Sequence, residues 1–183
     1  MVTAEKWMTA EDLLRLSSEG RYELVKGALI EMTPPGYEHG EIANRFSYRL
    51  THHVIQNDLG VVLAAETGFR LSRDPDTVRA PDIAFVSKAR RPTIPPTGYA
   101  DFAPDLVVEV VSSNDDPDEI QSKVRDWLEA GVRVVLVVYP RSRQIAVYRS
   151  LREVTVLTEA DSLVLSDVLP GFSCPVADVF AST

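Results

Sequence analysis

The chain is 183 residues long, 45% hydrophobic and 25% charged, a composition that argues against a disordered or fibrous protein and suits one domain with a sizeable core. No apolar run approaches a bilayer span, the segment from Met1 to Leu14 lacks an apolar signal core, and the single Cys174 rules out an internal disulfide, so a cytoplasmic setting is expected. Nineteen basic against twenty-seven acidic residues give a net charge of −8, which argues against coating nucleic acid through an overall positive field and requires a local basic face for any grip on phosphates.

In chain order, Thr9 opens a short helix, with Asp12 completing an approximate capping box and Leu13, Leu14 and Leu16 as its apolar side. Segments 21–25 and 28–32 flank Lys26-Gly27, the pattern of a tight hairpin. After the break Thr33-Pro34-Pro35-Gly36, the four-residue recurrence of Ile42, Phe46, Leu50 and Val54 predicts a helix over about 37–57, with Gly60 beyond its end. Segments 61–65 and 68–71 read as extended, either separately or as one bent strand, and 78–86 as another strand. Four prolines and one glycine without periodicity make 89–104 a long loop, expected beside the site.

Segment 105–111 is a nearly continuous apolar strand. Asp116 at N-cap, Pro117 at the first helical position and Glu119 two residues on then predict a helix that ends at about Ala130 and stops at Gly131. Segment 132–139 is apolar apart from Arg133, as expected of a strand covered on both faces. The strand–helix–strand unit should be parallel and right-handed. Segments 144–149 and 154–158 read as antiparallel additions at the sheet edge, Pro170 and Pro175 punctuate the tail, and 176–180 forms a last helical turn. No linker or repeat divides the chain, so 1–183 is expected to be a single domain of α/β class.

Two carboxylates stand where ionised groups are expensive. Glu109 interrupts the apolar strand Leu106-Val107-Val108-Glu109-Val110-Val111, and Asp82 follows Pro81 at the start of Ile83-Ala84-Phe85-Val86. Each must pair with a nearby arginine, meet water at a cleft, or bind a metal. Glu109 lies roughly 7 Å back from its strand's end and Lys123 roughly 9 Å along the returning helix, which puts them at similar heights. Lys123 borders the stripe Ile120, Val124, Trp127 and Leu128, so it either bends toward the sheet or lies across Trp127. Arg70, Arg73, Arg79, Lys88, Arg90 and Arg91 are either a local DNA-contacting face, with Arg70, Arg73 and Arg79 leading it, or scattered solubilising charges among Asp74, Asp76 and Asp82. Glu66 could line the cleft. His52 and His53, adjacent on a helix, point apart and make a poor metal pair, and Cys174 reads as packing.

Arg21-Tyr22-Glu23-Leu24, Pro34-Pro35 followed by His39, Val78-Arg79-Ala80-Pro81-Asp82-Ile83-Ala84-Phe85-Val86, Pro104-Asp105-Leu106-Val107-Val108-Glu109-Val110, then Lys123 and Ala130-Gly131-Val132 occur in that order. From about Thr9 to Phe180 the chain resembles the putative restriction endonuclease family, long catalogued as a domain of unknown function, within the PD-(D/E)xK nuclease superfamily. The resemblance implies an αβββαβ core with a mixed central sheet flanked by helices, and Mg²⁺- or Mn²⁺-dependent cleavage of DNA phosphodiesters. It makes Asp82 the Asp of the PD element and Glu109 the acid of the second element. The superfamily lysine belongs two positions after that acid, where this chain has Val111; in this family it comes from the following helix, which points to Lys123. Metal ligands on this reading are Asp82, Glu109 and the Val110 backbone carbonyl. Glu23 and His39 match family positions as supporting residues, against the plainer readings of Glu23 paired with Arg21 or Arg79 and His39 at a helix start.

The expectation is therefore a divalent-metal-dependent endodeoxyribonuclease, dimeric because two symmetric sites most simply cut two antiparallel strands. Its rivals are a non-catalytic DNA-binding or protein-interaction module that retains the fold, and a metal-dependent hydrolase of RNA or nucleotides. Fold alone does not choose among them.

Overall fold

The computed structural model describes residues 7–16, 20–65, 67–91, 97–113 and 115–181, and the segments follow from local chemistry in most places. Helix α1 (Ala10–Leu16) starts at a reciprocal cap: the Thr9 N–H donates to Asp12 Oδ2 (3.1 Å) and the Asp12 N–H to Thr9 Oγ1 (3.2 Å). Strands β1 (Tyr22–Val25) and β2 (Ala28–Glu31) form an antiparallel hairpin. Lys26 and Gly27 both take positive φ (48° and 79°), as the favoured two-residue hairpin turn requires. Helix α2 (Tyr37–Gln56) buries Ile42, Phe46, Leu50 and Val54 at their four-residue spacing.

The extended segments 61–65 and 68–71 are two separate strands, β3 (Gly60–Ala64) and β4 (Phe69–Ser72), and segment 78–86, expected to be one strand, divides into β5 (Thr77–Arg79) and β6 (Ile83–Ser87); in each case the two strands lie in different sheets. Pro81 has no N–H to give a ladder, so pairing breaks at Ala80-Pro81-Asp82 and the chain changes sheet. Near the other break, Gly68 lies so close to Tyr99 that a Cβ there would come 2.4 Å from its ring.

Strand β7 (Leu106–Val110), helix α3 (Pro117–Glu129) and β8 (Val134–Tyr139) make the expected unit, with β7 and β8 parallel. Asp116 caps α3 by accepting the Asp118 N–H (2.7 Å), Pro117 follows it, and Gly131 (φ 94°) lies just past the C-cap Ala130. Asp116→Ala is expected to lower stability by about 1 kcal/mol, read as a lower Tm in a thermal melt. Strands β9 (Gln144–Tyr148) and β10 (Val154–Leu157) complete an edge, giving a six-stranded mixed sheet of order β10-β9-β8-β7-β6-β3. A four-stranded sheet has the order β2-β1-β5-β4. Strands β11 (Ser162–Val164) and β12 (Ser173–Pro175) pair antiparallel and lead to α4 (Ala177–Phe180).

The central strands of the large sheet are buried on both faces, and their period of two sorts the side chains. Ile83, Phe85, Leu106, Val108, Leu136 and Val138 face α2; Ala84, Val86, Val107, Val135 and Val137 face α3. The segment expected only as a punctuated tail is core: Leu165, Val168, Leu169, Phe172, Val176 and Phe180 pack with α2. Its scattered apolar residues follow neither period, so only the tertiary packing reveals their role. Cys174 is free and buried in that same cluster. Among the described residues, no helix is long and apolar enough to cross a membrane.

Candidate active site

Strand alternation puts Glu109 on the α3 face, the same side as Val107. On α3, Lys123 and Trp127 are one turn apart, and Trp127 is fully buried against the sheet. The Trp127 indole N–H donates to Glu109 Oε1 (2.7 Å), so the buried ring orients the carboxylate. Reading Trp127 only as part of an apolar stripe misses this bond; its signal was the indole N–H, which needs a partner when buried.

Asp82 enters from the link between the sheets. Register Ile83↔Val108 brings the preceding Asp82 level with Glu109. Its Oδ2 accepts the Val110 N–H (2.7 Å) and lies 3.0 Å from His39 Nε2, in the first turn of α2. His39 thus stands at a helix start and also holds the acid. Burial alone would lower its imidazole; the hydrogen bond and charge of Asp82, with smaller help from Asp115 and the Val110 backbone, raise it above its ordinary value. His39 Nδ1 is buried without a hydrogen-bond partner among the described residues.

Asp82, Glu109, Lys123, His39, Glu23 and Val110 all line one cavity of about 350 Å³. Burial pushes the Glu109 carboxyl up to about 8; Lys123 pulls it down, Asp82 and Glu23 push it higher, and the Trp127 hydrogen bond opposes them. Burial would lower the Lys123 ammonium, but the charges of Glu109, then Glu23 and Glu119, hold it above its ordinary value whenever Glu109 is ionised. Lys123 and Glu109 thus line the same cavity.

Glu23 makes the ion pair with Arg79 while lining the cavity. Register Leu24↔Val78 sets it across from Arg79, whose Nη1 donates to Glu23 Oε2 (2.6 Å), while the Ala80 N–H donates to Oε1 (2.9 Å). Arg79 also grips Asp126 of α3 through Nε (3.0 Å) and Nη2 (2.6 Å), and its side chain is 3% exposed. That burial leaves Arg79 no face for a DNA phosphate. Arg70 is 10% exposed and paired with Asp101 and Glu11, and Arg73 shares Asp101. Lys88 pairs with Asp58 and Arg90 with Asp105. The stretch from Arg70 onward is therefore a set of ion pairs, closer to the scattered reading than to a continuous basic face. Of the loop 89–104, Tyr99 reaches the cavity. His52 stacks near Tyr48 and His53 donates toward Pro170, facing apart as expected. Glu66 lies outside the described residues.

Among the described residues, no group of three or more His, Cys, Asp or Glu side chains converges to hold a metal ion. Mg²⁺ asks for less, taking one or two carboxylates and keeping several waters. Two oriented carboxylates on one cavity fit that demand.

Residues 10–177 match the family model of Uma2, described as putative restriction endonuclease. Among solved structures, the chain is similar to the crystal structure of a putative nuclease belonging to DUF820 from Anabaena variabilis. The TM-score is 0.81 at 19% identity, over 94% of this chain and 97% of the other. No curated protein matches.

Proposed function

The chain belongs to the Uma2 family of putative restriction endonucleases, and on that premise we propose that it is a divalent-metal-dependent nuclease hydrolysing DNA phosphodiesters, with Asp82, Glu109 and Lys123 as its catalytic set. The observation that carries this reading is the convergence of two separately oriented carboxylates and a lysine on one cavity. Asp82 and Glu109 would hold Mg²⁺ or Mn²⁺, joined by the Val110 carbonyl. When bound, such a cation supplies the charge that acidifies a water and polarises the phosphate.

The chain's own residues do the rest. Val110 N–H and His39 fix the Asp82 carboxylate, and Trp127 fixes Glu109, so neither has to reorganise as charge develops. Lys123 orients the water or offsets charge on the phosphoryl oxygens. In the hydrolysis the water oxygen bonds to phosphorus and gives up a proton. The bond from phosphorus to the leaving sugar oxygen breaks, and that oxygen keeps the electron pair and takes up a proton. Cutting both strands of a duplex would call for a homodimer with two symmetric sites. The absence of an apolar membrane span among the described helices accords with the cytoplasmic setting we assign.

Calorimetric titration of Mn²⁺ into wild type and Asp82→Ala, followed by cleavage of DNA with the same samples, tests the reading. Wild type should bind and cleave; the variant should lose metal binding and drop in rate by on the order of a hundredfold or more. A wild type that binds no metal, with or without DNA, would sink it.

A further inference from the structure

The cavity that holds the catalytic residues has the size of a small-ligand pocket: its volume of about 350 Å³ falls in the range of roughly 300–1,000 Å³. Besides the catalytic residues, it is lined by α1 and by the residues that follow the first hairpin, among them Leu14, Met32 and Pro35.

One part of the lining is apolar and aromatic. Leu13, Tyr22, Val78 and Tyr99 border the cavity and belong to the cluster packed beneath α1. The Tyr99 ring sits where a Cβ on Gly68 would be, 2.4 Å from it, so glycine at that position lets the ring seat against the backbone. The polar part carries the acids Glu23, Asp82, Glu109, Asp115 and Glu119 and the bases Arg21, His39 and Lys123. A duplex is held by neutralising several phosphates at once, and among the described lining residues only Arg21, His39 and Lys123 can carry positive charge for them. An unpaired nucleotide is held largely by stacking on aromatic rings, which such a wall offers.

We propose that this cavity takes a single nucleotide unit of an unpaired or flipped-out strand, its base against Leu13, Tyr22, Val78 and Tyr99 and its phosphodiester at Asp82, Glu109 and Lys123. The proposal rests on the nuclease reading and narrows its substrate. Unpaired stretches and strand ends are the sites cut; a base-paired site must first surrender a nucleotide, at an energetic cost that slows it.

The test uses the whole protein with Mn²⁺ and one labelled DNA strand in three forms: alone, in a blunt duplex, and in a duplex with a central mismatch bubble. Binding of thymidine 5′-monophosphate is titrated separately by calorimetry in wild type, Tyr99→Ala and Tyr99→Phe. The single strand and the bubble should be cut at least about tenfold faster than the duplex. Tyr99→Ala should weaken monophosphate binding about tenfold, and Tyr99→Phe, which keeps the ring, should bind as wild type does. Duplex cut as fast as single strand, with no monophosphate bound, overturns the proposal and leaves the nuclease reading intact. Monophosphate bound while no form of the strand is cut overturns the nuclease reading and leaves the nucleotide pocket standing. The wild-type comparisons decide the matter even where the alanine variant fails to fold.

Discussion

Glutamine at Glu109 is expected to abolish cleavage and, at the same time, to remove a pH-dependent weakness of the fold. The amide keeps the size of the side chain and an oxygen for the Trp127 indole, but carries no charge to hold a cation. Cleavage should fall by on the order of a hundredfold or more. Burial, opposed by Lys123 and reinforced by Asp82 and Glu23, raises the Glu109 carboxyl from an ordinary value of 4.5 to about 8. Between about pH 4.5 and pH 8 the folded protein holds a proton that the unfolded chain has released, so stability falls as pH rises through that window and levels off above it. The total is on the order of a few kcal/mol. Urea unfolding from pH 4.5 to 9 should show this decline in wild type and a much shallower one in Glu109→Gln, the remainder coming from the raised imidazole of His39. A variant that declines as steeply as wild type would mean that Glu109 is ionised throughout the window. Metal binding should show the opposite trend in wild type, strengthening toward pH 8 because the cation competes with the proton.

Removing Arg79 should cost far more stability than removing an exposed arginine such as Arg73 or Arg143. Its guanidinium lies between Glu23 of β1 and Asp126 of α3, and both it and Glu23 are almost wholly buried, with side chains 3% and 2% exposed. Arg79→Ala leaves the buried Glu23 carboxylate and the half-buried Asp126 without their shared partner, and an unpaired buried charge typically costs about 3–5 kcal/mol. The damage should reach the site, since Glu23 also receives the Ala80 N–H two residues before Asp82. Replacing the network as a unit, Glu23→Gln with Arg79→Met and Asp126→Asn, should recover much of the loss, because the desolvated charges go with it. Chemical denaturation of the single and triple variants measures the difference. An Arg79→Ala protein within about 1 kcal/mol of wild type would mean that water reaches the two acids.

The sequence by itself determined the parts whose physics is local. The Thr9–Asp12 box, the Lys26-Gly27 turn, the four-residue stripe of α2 and the Asp116-Pro117 start of α3 are each set within a few residues, and each appears where its chemistry puts it. Glu109 was legible for the same reason: one carboxylate in a run of valines is an anomaly in any fold. Strand alternation and helix period then suffice to bring Lys123 to its side.

Tertiary structure alone decided what depends on distant partners. Segment 78–86 reads as one strand, yet Pro81 lets its two halves join different sheets, and that crossing delivers Asp82 to the Val110 N–H. The arginines that look like a basic face from their density are consumed by acids far along the chain, Arg79 by residues 56 and 47 positions away. His39 meets Asp82 across 43 residues, and Trp127 reaches Glu109 across 18. The tail could not be read as core because its apolar residues follow no period and acquire a partner only when α2 lies against them. Charge and hydrophobicity can be counted in a sequence, but burial and pairing are properties of pairs of segments, and only the folded chain chooses the pairs.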